Sequence, residues 1–273
     1  MSLVRARVSV LDAFNRPVEH MPPGAFHIDD SGAEAHLAHF ERDTDPMSVA
    51  FLIDKSGSMS PYDASVASAA VAFARACAPG TEFSVVTVSD SAMTALAPTS
   101  DINALEPAIR SVKARGSTAL LDGIYAAVSS LQALRDRKRV VIVISDGQSF
   151  KSSRTMGDVT ALLKQTDVAV FAIKIMHAGS ATFEELSAPA FLSDICRLSG
   201  GRVVATLGPV RVASAADNLA GEIGKQYILG FLPNSVTPGW HSIKIHVDTP
   251  HKELPYHCTF RSGYLLEATQ AQR

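Results

Sequence analysis

The chain has 273 residues, enough for one large domain or two small ones, and its 47% hydrophobic and 19% charged residues belong to a globular protein rather than a disordered one. A formal net charge of −2, with no concentrated basic excess, argues against nucleic acid as a partner. Three scattered cysteines, Cys77, Cys196 and Cys258, make neither a disulfide framework nor a metal-ligand spacing, and no run of roughly 18 apolar residues offers a membrane span.

The opening MSLVRARVSV goes straight into strand-like alternation (Val4, Val8, Val10) without an apolar signal core. The expected compartment is therefore the cytoplasm, or a secreted one if a leader has been removed. Asn15-Arg16-Pro17 supplies a turn. Ala25–Ile28 and Ala35–Phe40 then flank Asp29-Asp30-Ser31-Gly32, a hairpin signal.

Through the middle, strand-like runs occur at Val49–Ile53, Phe83–Val88, Val140–Ile144 and Val168–Ile175. Three are almost continuously apolar, as parallel strands covered on both faces are. Between them Val66, Ala70, Phe73 and Cys77 share one helical face, and Leu121, Ile124, Val128 and Leu131 share another. Arg135, Arg137, Lys138 and Arg139 cluster where a helix gives way to a strand, and they read as a solvated turn. A helical stretch from Phe183 to Leu198, interrupted near Pro189, stops at Gly200–Gly201 before the next strand.

At the carboxyl end Tyr227–Leu232, Trp240–Val247 and Tyr256–Arg261 are short strands without intervening helices, with Tyr227, Phe231 and Trp240 expected in their core. Neither end alone has enough strands to bury a core. The predicted fold class is therefore α/β: a doubly wound, mostly parallel sheet over residues 46–225, inserted into a small β-sandwich. Residues 1–45 and 226–273 build that sandwich.

Three segments carry the chemistry. FLIDKSGSMS, residues 51–60, ends a buried strand at Asp54 and follows it with Ser56 and Ser58 at alternate positions. ARGSTALLDG places Thr118 just before a helix, and VVIVISDGQS places Asp146 at the end of another buried strand. Open parallel sheets collect ligands outside the carboxyl ends of their strands. Two carboxylates brought there repel, and a divalent cation removes that cost. Hydroxyls and carboxylates are hard oxygen donors and suit magnesium, whereas zinc would call for His or Cys. Asp122, four residues after Thr118, is expected on the same helical face, either accepting a hydrogen bond from a ligand hydroxyl or water or serving as a carboxylate favourably placed in a first helical turn. Lys55 should point away from its neighbours. His36 and His39 fall on opposite strand faces and, with His251 and His257, make a poor histidine metal site.

Asp-x-Ser-x-Ser with a distant Thr and a distant Asp resembles the metal-ion-dependent adhesion site of von Willebrand factor type A (VWA) domains, which have a Rossmann-like fold. The resemblance covers about residues 46–225 and is matched at all five positions. It implies that Asp54, Ser56, Ser58, Thr118 and Asp146 hold the metal, directly or through water, with Mg2+ expected and Mn2+ or Ca2+ as alternatives. It also implies a protein partner presenting an Asp or Glu carboxylate, and a last helix near residues 211–225 whose shift changes affinity. The flanking strands resemble bacterial proteins in which such a domain sits within a small β-sandwich.

Two other readings remain. A metal-dependent hydrolase of phosphatase type would use the same cation to activate water. Against it, Ser56 stands where an aspartate-nucleophile phosphatase needs a second carboxylate, and no G-x-S-x-G or G-x-x-x-x-G-K-[ST] motif occurs. A purely structural metal would be saturated by protein groups alone.

Overall fold

The computed structural model describes residues 3–134, 137–176, 189–250 and 253–267. Arg135, His251 and the start of the expected Phe183–Leu198 helix lie outside them. Among the described residues fourteen strands form three sheets. At the amino end come β1 (Val4–Leu11), β2 (Phe26–Asp30), β3 (Ala33–Ala35) and β4 (Leu37–Arg42). The central sheet follows, with β5 (Met47–Asp54), β6 (Glu82–Val88), β7 (Ala92–Thr99), β8 (Lys138–Ser145), β9 (Val168–Met176) and β10 (Val203–Leu207). Last come β11 (Tyr227–Phe231), β12 (Gly239–Val247), β13 (His257–Phe260) and β14 (Gly263–Leu266).

The two ends of the chain interleave. β11 lies between β1 and β4, and β12 pairs with β2, so each small sheet mixes strands from both ends. The β2–β3 hairpin turns through Ser31 and Gly32, both at positive φ (58° and 94°), the geometry a two-residue hairpin with right-handed strand twist requires. Val8, Phe26, Ile28, Tyr227, Leu229 and Phe231 fill the space between the two sheets.

The central sheet runs in the order β10-β9-β8-β5-β6-β7, parallel except for β7. All eight residues of β5 and all eight of β8 are buried, because helices cover both faces. One face of β5 (Val49, Phe51, Ile53) packs on α1 (Asp63–Ala76), α2 (Leu105–Ser111) and the last helix, α6 (Val212–Ile223). The other (Ala50, Leu52) packs on α3 (Leu120–Ser130), α4 (Met156–Gln165) and α5 (Ala190–Ser199). Phe51 meets Phe73 edge-on at 5.5 Å, a geometry aromatic pairs favour.

Two sequence expectations are corrected at the seam between sheet and sandwich. Lys138 and Arg139 are not in a solvated turn: they are 3% and 9% exposed, at the start of β8. Lys138 Nζ lies 3.0 Å from the buried Asp43 carboxylate, which also takes Arg7 at 2.9 Å. Burial pulls the Lys138 ammonium down to about 8, against the attraction of Asp43. Trp240 is not a core residue. It is half-buried, with Lys164 of α4 and Arg261 each over its ring at 5.1 and 5.4 Å. Tyr227 and Phe231 are core, at 1% and 0% exposure. No helix among the described residues is long and apolar enough to cross a membrane.

Candidate metal centre

After β6 and β7 the chain crosses back over β5 to build β8, so strand order reverses between β5 and β8. That crevice is where open α/β sheets bind ligands. Asp54 ends β5, and Asp146 directly follows the adjacent β8.

Asp54 is 1% exposed. Its Oδ1 accepts the Ser56 backbone N–H at 2.8 Å and its Oδ2 the Ser145 hydroxyl at 2.6 Å. Burial still pushes its carboxyl up to about 6, overcoming the opposite pull of those hydrogen bonds, with the charge of Asp146 adding to the rise. Asp146 Oδ2 accepts the Ser58 hydroxyl at 2.6 Å, and its Oδ1 accepts the Gln148 N–H at 3.1 Å. Ser58 Oγ is also 3.1 Å from Ser56 Oγ. Ser58 spends its one hydroxyl proton on Asp146, so Ser56 is the donor in that contact. Ser56 precedes a short 3-10 turn (Gly57–Tyr62), yet its side chain makes no capping hydrogen bond. These serines therefore face the carboxylates instead of serving as helix caps.

Thr118 is 2% exposed, in a loop stitched to the others by its backbone. Arg115 N–H donates to Lys55 O at 2.7 Å and Gly57 N–H to Gly116 O at 3.2 Å. Phe150 N–H in turn donates to Thr118 O at 2.9 Å. Among the described residues the Thr118 hydroxyl has no hydrogen-bond partner. Gly116, at φ 76°, lets this loop pass close to Asp90: a Cβ there would sit 2.4 Å from Asp90 Oδ2, while Oδ1 accepts the Ser117 N–H at 3.1 Å.

The remaining positions divide. Lys55 is fully buried and turns to Asp63 in the first turn of α1. Asp122 does not reach toward a ligand hydroxyl. Both its oxygens are used by the loop after β8, taking the backbone N–H groups of Ser153 (3.0 Å) and Arg154 (2.7 Å) and the Ser153 hydroxyl. Its partial burial would raise its carboxyl, but these bonds outweigh that and hold it below the usual range. Sequence reasoning missed Ser145, which links Asp54 to the Gly147 N–H (2.9 Å). Its one signal was a hydroxyl closing an otherwise apolar run. Among the described residues no three His, Cys, Asp or Glu side chains surround a common point. The hydrogen bonds instead link Asp54, Ser56, Ser58 and Asp146 at the strand ends.

Residues 49–148 match the family model of the von Willebrand factor type A domain. The chain carries a VWA-like fold. Solved structures agree on the architecture. A VWA protein from Catenulispora acidiphila superposes with a TM-score of 0.54 at 12% identity, over 96% of this chain and 72% of that one. An aerotolerance-related membrane protein from Bacteroides fragilis gives 0.52 at 16%, over 65% of this chain and 98% of that one. Proximal thread matrix protein 1 from the mussel byssus, solved with a zinc-occupied metal-ion-dependent adhesion motif, gives 0.56 at 20%, over 70% and 48%. No curated protein matches the sequence.

Proposed function

We propose that this VWA-like domain is a divalent-cation-dependent protein-binding module. Asp54, Ser56, Ser58, Thr118 and Asp146 hold the cation, and a partner's Asp or Glu carboxylate completes its coordination. The observation that carries this reading is the pair of carboxylates at the switch point, Asp54 and Asp146, linked through the Ser56 backbone N–H and the Ser56 and Ser58 hydroxyls. Burial is the largest cause of the raised Asp54 carboxyl, with the charge of Asp146 adding to it, and a dication bound there would offset both. The donor set is all hard oxygen with two negative charges, which fits Mg2+, with Mn2+ or Ca2+ as substitutes. When bound, the cation supplies a positive centre able to accept an outside carboxylate.

The loops contribute positioning. The 115–119 segment, pinned to Lys55 and Gly57, holds Thr118 beside the strand ends; Ser145 holds Asp54 against Gly147. Against a hydrolytic reading, Lys55, the one basic side chain inside the 51–60 motif, is held by Asp63. The matched family is one of interaction modules rather than catalysts. Titrating Mg2+ into metal-free protein by calorimetry, with Asp54→Ala alongside, tests the reading. Saturable binding that the variant loses, followed by metal-dependent association of a carboxylate-bearing partner, supports it. Magnesium binding unchanged in Asp54→Ala would sink it.

A further inference from the structure

The sandwich carries a second arrangement of metal-ligand chemistry, unlike the oxygen-only strand ends. β2 and β12 are antiparallel, and their register sets His27 directly opposite His246. The pleat turns both outward, because Phe26, Ile28 and Ile245 point into the core. The two imidazole rings stack at 4.8 Å with a 13° interplanar angle. Asp248, two residues past His246, shares that outward face, and the ladder still holds it: its N–H donates to Ala25 O at 2.9 Å. Asp248 Oδ1 lies 3.3 Å from His27 Nε2.

We propose that His27, His246 and Asp248 form a surface site for a borderline transition-metal dication such as Zn2+. Two imidazole nitrogens and one carboxylate oxygen are the donor types such ions take, and Mg2+ does not favour them. The spacing agrees. With bonds near 2.1 Å, nitrogen and oxygen ligands on one tetrahedral ion stand about 3.4 Å apart; the His27–Asp248 pair is at 3.3 Å. Directly opposed strand positions hold their Cβ atoms roughly 5 Å apart, within reach of both rings. The His246 ring now lies flat against His27, so loading requires it to swing about its side-chain torsions until a nitrogen faces the His27–Asp248 pair. The three ligands are not already gathered around one point, but His246 is exposed and free of core packing. Because β2 and β12 come from opposite ends of the chain, a bound ion would clip together the two termini that frame the VWA-like fold, stabilising the folded state by linkage.

The test is calorimetric titration of Zn2+ into the full chain carrying Asp54→Ala, so that the strand-end site does not contribute. The expected result is one saturable equivalent, weakened at least tenfold by His246→Ala and by Asp248→Asn, and unchanged by Lys244→Ala on the same exposed strand face. Thermal unfolding of the Asp54→Ala chain should move upward with Zn2+ and stay put once His246→Ala is added. Absence of saturable binding, or binding that survives His246→Ala, overturns the proposal and leaves the magnesium reading untouched.

Discussion

Asp54→Asn separates what this carboxylate costs the fold from what it does for a ligand. The metal-free protein carries Asp54 with its carboxyl pushed from 3.8 to about 6 by burial. Below about 3.8 the group is protonated in both folded and unfolded chains, and above about 6 it is ionised in both. In between, the unfolded chain has released a proton that the folded chain keeps, so stability falls as pH rises through that window. A shift of roughly two units corresponds to about 3 kcal/mol of penalty at pH 7. Asparagine is nearly isosteric and never ionises. Its Oδ1 can still accept the Ser56 N–H. The Ser145 oxygen, which accepts one bond from Gly147 N–H, has a second lone pair for the new amide. Urea unfolding in the presence of a chelator should therefore show Asp54→Asn more stable than wild type by about 2–3 kcal/mol at pH 7, shrinking toward zero near pH 4. Saturating Mg2+ should raise wild type alone, by about 2.7 kcal/mol at a hundredfold excess over Kd, and so close the gap. A variant no more stable than wild type at pH 7, or a gain that does not vary with pH, would refute the account of Asp54 as a buried charge awaiting a cation.

Three further outcomes follow from the same geometry. Magnesium affinity should be flat above pH 7 and fall roughly tenfold per unit below about 6, as the Asp54 carboxyl takes up its proton; calorimetry at pH 5 and 7.5 checks this, and equal affinities would contradict it. Gly116→Ala puts a Cβ against Asp90 at positive φ and should cost about 1–3 kcal/mol while displacing Thr118. Adding Asp90→Ala should recover part of both losses in a double-mutant cycle, since it removes the clash but not the strain. Lys138→Met strips the buried Asp43 of one of its two cations and should destabilise by on the order of 3 kcal/mol in urea melts, with magnesium binding preserved because the seam lies at the opposite end of β8 from Asp146.

The legibility of this chain depended on whether a feature was local. β5 and β8 were readable because a strand covered on both faces shows as an unbroken apolar run, and the carboxylates that close them stand out by contrast. α6 was implied by the family resemblance and the pairing of the two chain ends by the scarcity of strands at either end, and both are found. α4 passed unnoticed although Thr155 and Asp158 form a capping box at its start, a signal that was available in the sequence. β7 was harder: it is a half-exposed edge strand containing a proline, so its pattern carries little periodicity. Lys138 and Arg139 were misread for a different reason. A cation is placed by its partner, and Asp43 lies 95 positions from Lys138 in the chain; nothing near Lys138 announces that it will be buried. Trp240 was misplaced likewise, since Lys164 and Arg261 reach it from other elements. Asp122 shows the limit of helical-face arguments at a site: Thr118 lies in the loop before α3 and Asp122 in its first turn, where the loop at Ser153 and Arg154 takes up its oxygens. Spacing says which side chains can share a face. Which groups they spend their hydrogen bonds on is settled by segments that arrive later in the chain, and Ser145 reaching back to Asp54 is the same point in reverse.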